Sequence, residues 1–435
     1  MLRPTSSENR GGRDVRLDFF RGLALLIIVY DQVFTTVHEP GLAAFFEITP
    51  VYWGLASAMS VFVLISGLAY GQVYGPRFDR SGLGVTTTRS LRRVFQIYLA
   101  NVAIGLVTWF LLKFLLSAGL PPNDFFTQMA TEEQTFGKLG VFVAMIQLRS
   151  DVWGGGILPL YMALIAVGPL VLWGLARRPV VTLAVSALLF TGAQFEQIFP
   201  WTQSGFPRSP FHPLAWQILF VLGVAIHRIP ITIPVRRSLA IAGAAALGVV
   251  WCSVWLIPKL VRHGITPELG WLALPNASHD VPSYTPVRFL YFLILAYVVR
   301  AVLPTDRRFW TAGVVAKIST MGRHSLLVFS VGVVGSGVAM IVNLAYRAGW
   351  PVFLGEIIAI FALSYGAADM AERLKRVRST GTVPGLPGTI HPTRAAERRP
   401  SPTGRPARGL IRSMHEPYLV PHSRPESIQR RAPSP

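Results

Sequence analysis

The sequence predicts an all-α integral membrane protein, a polytopic helical bundle with about ten transmembrane helices. Hydrophobic residues make up 51% of the 435-residue chain and charged residues only 14%, whereas soluble domains carry about 25% charged residues. Apolar stretches of about 20 residues, the length that crosses a bilayer, recur from Leu17 to about Ala371. The deficit of charge excludes a soluble globular domain.

Ten apolar segments fit a membrane-crossing helix. In chain order they are 17–37, 52–73, 94–117, 157–176, 180–198, 214–229, 238–258, 287–304, 318–346 and 350–372. The fifth contains Glu196, and the sixth is short. The first keeps Asp31 and Gln32 inside its apolar run, and no convincing cleavage site follows it, so we predict a retained helix and not a signal peptide.

Positively charged residues orient the predicted bundle. The connection between the second and third segments carries five arginines, whereas the first connection, HEPGLAAFFEITP, has no Lys or Arg. Because such residues are retained on the cytoplasmic side, we predict that both termini are cytoplasmic. The two long connections, 117–157 and 259–286, then face outside. They are polar, and they either carry an acceptor site or simply cap the bundle.

The chain divides into a transmembrane domain, residues 1–376, and a tail, residues 377–435. The net charge is +20, and the tail holds ten Arg against three Glu, with many Pro, Ser and Gly. Such a composition cannot bury a core, so we predict a disordered, Arg/Pro-rich cytoplasmic tail. An anionic inner leaflet suits its charge better than nucleic acid does, and no nucleic-acid partner is expected.

The sequence does not indicate metal or nucleotide-fold chemistry. The single Cys252 lies in an apolar segment, where it is typical of helix packing. No cysteine–histidine cluster has zinc-ligand spacing, and no glycine-rich phosphate loop occurs. We therefore predict no metal site and no bound cofactor.

The first segment carries charged residues that cost at least ~2.5 kcal/mol each at bilayer depth. On a helix, Arg21 and Gln32 lie within ~20° of one face and ~16 Å apart along the axis. Asp18 lies one turn before Arg21, at ion-pair spacing, and Asp31 lies at the edge of this stripe. We expect the stripe to face the bundle interior. The alternative is a buried ion pair that only fixes helix packing.

Three further groups of residues are candidates for function or packing. Arg89 and Arg92, in TTTRSLRRVFQIY, suit a phosphate or pyrophosphate, although the topology rule alone also places arginines at cytoplasmic helix ends. His324, in MGRHSLLVFS, is either a general base or a packed donor. Ser66 and Gly67 predict close helix packing, because small residues let helices approach.

Seven segments, in order, resemble successive blocks of the OpgC family. They are RDVRLDFFRGLALLIIVYDQV, VFVLISGLAYGQVYG, RSLRRVFQIYLANV, ILPLYMALIAVGPLVL, HPLAWQILFVLGVAIHR, VRFLYFLILAYVVRAVLP and MGRHSLLVFS. The resemblance spans about Arg13 to Ala371. The family consists of polytopic bacterial inner-membrane proteins associated with succinylation of osmoregulated periplasmic glucans. It is related to the acyltransferase 3 superfamily, and its ten-helix layout agrees with the segments above.

The resemblance implies a transferase that moves an acyl (succinyl-type) group across the membrane. A cytoplasmic acyl-CoA-type donor would be the cosubstrate, and a periplasmic glucan or other surface glycan would be the acceptor. Arg89 and Arg92 match an Arg-x-x-Arg pair linked to donor binding in the superfamily, and Arg21 matches its first-helix arginine. Asp18 and Arg21 would then hold the donor or orient the first helix.

One position departs from the family's pattern. Family members usually read Asp-His where this sequence reads Asp31 and Gln32, and glutamine cannot take a proton from a sugar hydroxyl. If that histidine is the general base, this protein is inactive, is slower, or uses another base, for which Asp31 and His324 are the candidates. We favour an acyltransferase. The alternative is a non-catalytic OpgC-like membrane protein that binds a glycan or a partner.

Overall fold

The computed structural model describes residues 14–34, 55–120, 124–148, 156–194, 211–229, 234–262, 264, 284–304, 306–346 and 349–380. These ranges contain helices and no strand, which confirms the all-α prediction. The helices are α1 (Val15–Phe34), α2 (Ala58–Ser117), α3 (Asp124–Ile146), α4 (Ile157–Arg177), α5 (Pro179–Gly192), α6 (Pro213–Arg228), α7 (Arg237–Trp251), α8 (Ile257–Arg262), α9 (Pro286–Val302), α10 (Arg307–Thr311), α11 (Gly313–Arg323), α12 (Ser325–Tyr346) and α13 (Trp350–Thr380). A π-helical turn, Cys252–Leu256, joins α7 to α8.

Within the described ranges, five helical stretches are long and apolar enough to cross a membrane. They are Ala58–Ser117, Ile157–Arg177, Arg237–Val254, Ser325–Tyr346 and Trp350–Val377. The shorter helices α5 and α6 are also apolar. Helix α1 has the length to cross a bilayer, but it carries four charged residues. These helices support a membrane protein, and the count of ten spans and the orientation of the termini stay predictions.

The longest helix, α2, consists of two halves that fold back on each other at a single residue. Gly82 has φ 74° and ψ −174°, a backbone conformation that is essentially restricted to glycine. In a straight helix Tyr70 and Ser90 would lie about 30 Å apart, yet their hydroxyl oxygens are 2.6 Å apart. Residues 58–81 and 83–117 are therefore antiparallel, and they correspond to the second and third predicted segments.

The main core lies where α1, α2, α4, α6, α11 and α12 pack together. Glycines set the closest approach between α2 and α6. A Cβ added at Gly67 would lie 2.2 Å from the Phe220 carbonyl oxygen, and one added at Gly223 would lie 2.3 Å from the Leu64 carbonyl oxygen. The two backbones are thus in direct contact, as the small residues at positions 66 and 67 predict.

Two features differ from the helices that the sequence predicts. The ninth segment, 318–346, is wrong as a single helix, because the backbone leaves helical geometry at His324 (φ −109°, ψ 36°). Helix α3, which is broken at Gly137, lies in a connection for which no helix was predicted. Its first half is polar, and its apolar second half is too short to resemble a membrane span.

The last helix continues to Thr380, four residues beyond the predicted domain boundary at 376. The tail from residue 381 onwards lies outside the described residues, so its predicted disorder stays a prediction. Most of the predicted outer connection 259–286 also lies outside them.

Candidate functional site

Helices α1 and α11 cross at two glycines. A Cβ added at Gly22 would lie 2.1 Å from the Ile318 carbonyl oxygen, and one added at Gly322 would lie 1.8 Å from the Asp18 carbonyl oxygen. Backbones can approach this closely only where no Cβ intervenes. The crossing therefore fixes the first turns of α1, with Asp18 and Arg21, against the last turn of α11.

Arg21 lies at this crossing with one unpartnered nitrogen. Its side chain is half-buried, and its Nε is buried without a hydrogen-bond partner in the described part of the chain. Asp18 is only 4% exposed, but among the described residues no salt bridge joins Asp18 to Arg21, although the sequence spacing predicts one. A guanidinium held partly out of water with an unused donor is suited to bind an anionic group.

His324 lies two residues beyond Gly322, in the break between α11 and α12. Its Nε2 is 2.9 Å from Oε2 of Glu372 on α13, and its side chain is 7% exposed. Arg323 Nη1 lies 3.8 Å from the other Glu372 oxygen, and Arg323 Nη2 donates to Thr320 Oγ1 at 2.7 Å. A carboxylate bound to one ring nitrogen orients an imidazole and selects its tautomer. An imidazole held in this way is a common proton-transfer group in proteins.

Glu372 is the residue of this site that the sequence analysis missed. It is 48 positions from His324, so no local spacing connects the two residues. The packing of α11 against α13 brings them together. One feature of the sequence could have pointed to Glu372. It is the last residue of the tenth apolar segment, and the predicted topology places it on the same side of the membrane as His324.

Arg89 and Arg92 lie on the second half of α2, after the turn at Gly82. Both side chains are exposed. Beneath this surface Tyr74 stacks on Tyr70 with ring centroids 4.4 Å apart, and the Tyr70 hydroxyl is bonded to Ser90. Arg89 and Arg92 therefore project from a helical hairpin whose two halves are joined by the Tyr70–Ser90 hydrogen bond and packed with stacked tyrosines.

Asp31 and Gln32 lie at the opposite end of α1, 13 residues and about 20 Å from Asp18 along the axis. Gln32 is 6% exposed, and Asp31 is half-buried. Their neighbours on α1, Tyr30 and Val33, pack with apolar residues of α12 and α13. The two candidate bases, Asp31 and His324, are therefore not parts of one site. Within the described ranges, no group of three or more His, Cys, Asp and Glu side chains could hold a metal ion.

The fold and the site define a class: a helical membrane protein whose first helix carries separate polar groups at its two ends. The family model described as OpgC protein matches residues 13–376. The chain therefore belongs to the OpgC family, which confirms the resemblance found in the sequence. A search of curated proteins and a search of solved structures each gave no match.

Proposed function

We propose that this protein is a multi-pass acyltransferase of the bacterial inner membrane. It transfers an acyl (succinyl-type) group from a cytoplasmic acyl-CoA-type donor to a periplasmic glucan or another surface glycan. The observation that carries the proposal is Arg21, a half-buried guanidinium with a buried, unpartnered Nε. It lies in a chain that belongs to the OpgC family.

The arginines support an anionic donor. An acyl-CoA-type donor carries phosphates, and a succinyl group adds a carboxylate. Arg21 offers a desolvated cation, and the exposed Arg89 and Arg92 offer two more at i,i+3 spacing. Each can make charge-assisted hydrogen bonds to such groups. We assign Arg89 and Arg92 to the donor's phosphates, and Asp18 and Arg21 to the region where the acyl group enters.

The transfer breaks the C–S bond of the donor thioester and forms a C–O bond to the acceptor. The acceptor hydroxyl oxygen attacks the acyl carbonyl carbon, the hydroxyl proton passes to a base, and the donor sulfur leaves as a thiolate. The acceptor is outside, so we assign its base to the Asp31 end of α1, where Gln32 can only donate or accept hydrogen bonds. His324, held by Glu372 at 2.9 Å, then acts as the proton-holding group at the donor end.

Mass spectrometry of periplasmic and surface glycans tests this proposal. A deletion strain is complemented in turn by the wild type, Arg92→Ala and Arg178→Ala, the last being an exposed arginine at the corner between α4 and α5. We expect the wild type and Arg178→Ala to restore an acyl substituent and Arg92→Ala to fail. If no version changes any glycan, the acyltransferase proposal is wrong.

The second candidate is a non-catalytic OpgC-like protein that binds a glycan or a partner. It is favoured by one observation, the buried Gln32 at the position where the family usually carries His. The same strain, complemented by Gln32→His, separates the two candidates. An acyl substituent that appears only with Gln32→His identifies the natural protein as a silenced member of the family.

A further inference from the structure

Helix α3 turns back along the helix that precedes it. The carboxylate of Glu133 accepts a hydrogen bond from Trp109 Nε1 at 3.0 Å and pairs with Lys113. After the break at Gly137, the Phe142 ring lies 5.3 Å from the Trp109 ring. The Ile146 carbonyl then accepts a hydrogen bond from the Tyr98 hydroxyl at 3.0 Å. The order of these contacts along α2 is the reverse of their order along α3.

These contacts place the end of α3 at membrane depth. Tyr98 and Trp109 are eleven residues apart on α2, which puts them within ~20° of one face and about 16 Å apart along the axis. Both lie in the apolar segment 94–117, Trp109 about 12 Å and Tyr98 about 28 Å along the axis from the helix end at Ser117. The tyrosine side chain spans part of this distance. The Ile146 carbonyl is still farther than Trp109 from the end of α2 at Ser117, and so lies deeper in the membrane.

After Lys138, the second half of α3, residues 139–146, is apolar on every side. Val141 and Met145 are buried against the bundle, whereas Leu139, Val143 and Ile146 are 76%, 42% and 56% exposed. A helix that is hydrophobic all round is buried in protein or in lipid. Helix α2, against which the segment packs, also exposes apolar residues, including Phe95, Leu99 and Val107.

The backbone at the end of α3 is adapted to a medium without water. The last carbonyls of a helix have no partner inside it, and an unpaired carbonyl in hydrocarbon costs several kcal/mol. Here Gln147 N–H donates to Val143, Leu148 N–H donates to Met145, and Tyr98 donates to Ile146. Leu148 adopts φ 57°, the left-handed conformation that commonly ends a helix.

We infer that residues 139–146 re-enter the bilayer from the side where α2 ends, and that their exposed face binds lipid hydrocarbon chains. The segment is therefore a re-entrant membrane helix inside a connection that the sequence assigns to the exterior. This inference rests on the membrane assignment of α2 and is independent of acyl transfer.

Depth measurements on the full chain in lipid vesicles test the inference. In a Cys252→Ser background, single cysteines at Leu139, Val143 and Ile146 are labelled with a fluorophore, and its quenching by lipids spin-labelled at shallow and deep positions is compared. Val107, exposed on α2 about 15 Å from the helix end at Ser117, is the matched control in the membrane, and Thr131, exposed on the first half of α3, is the matched control in water.

We expect the label at position 146 to be quenched by the deep lipid to the same extent as the label at position 107. The label at 139 should be quenched mainly by the shallow lipid. A membrane-impermeant thiol reagent should modify Thr131→Cys and leave Ile146→Cys unmodified. Rapid modification of Ile146→Cys at the rate of Thr131→Cys would overturn the inference.

A second measurement removes the hydrogen bond that satisfies the helix end. Tyr98→Phe keeps the ring and deletes the hydroxyl, so the Ile146 carbonyl loses its donor. We expect the label at position 146 to move outward, with deep quenching lost and shallow quenching gained. Tyr346→Phe, an exposed tyrosine on α12, should leave both unchanged. If the fluorophore at position 146 keeps the same depth in Tyr98→Phe, the Tyr98 hydroxyl is not needed to hold the Ile146 carbonyl in the membrane.

Discussion

The two ends of α1 hold polar residues by different physical means. At the first end, Asp18 and Arg21 lie where two glycine backbones touch, next to the His324–Glu372 pair. At the far end, Asp31 and Gln32 lie among side chains that pack by apolar contact, as in the Tyr30–Phe353 ring pair at 6.1 Å. One stripe in the sequence is therefore two sites in space. The first has a guanidinium whose Nε has no hydrogen-bond partner among the described residues, and the second has the buried amide of Gln32.

The largest effect is expected where the first end depends on backbone contact. Gly322→Leu puts a side chain where even a Cβ would lie 1.8 Å from the Asp18 carbonyl oxygen. Overpacking alone typically costs about 1–3 kcal/mol, and here the obstacle is backbone, which cannot rotate away. We expect Gly322→Leu to abolish the folded protein in size-exclusion chromatography. Gly355→Leu on α13, where an added Cβ meets nothing within 4 Å, is the control. Equal yields of the two variants would contradict the crossing.

The second-largest effect is expected at the far end of α1, where Gln32 lies. Gln32→His restores a group that can accept a proton, and a positioned base contributes ~10²–10⁴-fold in rate. We expect acyl transfer in vesicles to rise by that order if the natural protein lacks its base. Gln32→Asn, which keeps an amide, is the control. A rate that is unchanged in Gln32→His would show that this end does not supply the base.

Removing the Arg21 guanidinium at the first end of α1 should weaken donor binding. A charge-assisted hydrogen bond contributes about 1.5–3 kcal/mol, so Arg21→Ala should raise the donor KM by roughly 10- to 150-fold, and Arg21→Lys should restore part of the loss. Arg16→Ala serves as the control, because Arg16 is on the same helix and is already paired with Asp14 at 3.3 Å. If both alanine variants raise the KM alike, Arg21 has no special role.

The smallest effect concerns the pair beside the crossing. A double-mutant cycle of His324→Asn and Glu372→Gln should give a coupling of about 0.5–3 kcal/mol in the free energy of unfolding, because the two side chains are in direct contact. The exposed pair Arg373–Asp369, at 2.7 Å and i,i+4 spacing, should give only about 0.3–0.5 kcal/mol. Denaturant unfolding in detergent measures both. A coupling no larger than that of the exposed pair would show that His324 and Glu372 act independently.

The helices were predictable because crossing a bilayer requires a long apolar run, and such a run is visible locally. Segment 157–176 differs from α4 by a single residue at one end. The turn at Gly82 was predicted only as a connection, because arginines that mark a loop in the topology rule also fit within a helix. The contact of Glu372 with His324 depends on tertiary packing, which no local spacing reveals. The apolar part of α3, residues 139–146, has eight residues, too few to be found by a window of about 20.

The single-residue turn at Gly82 also bears on how the chain is inserted during biosynthesis. Because no flexible loop separates the two halves of α2, we predict that they enter the bilayer together as one helical hairpin. The Tyr70–Ser90 hydrogen bond would then form as soon as the turn is made. The predicted orientation of the second crossing would follow from that of the first, and the arginines that follow the turn would change sides only if both helices were reversed.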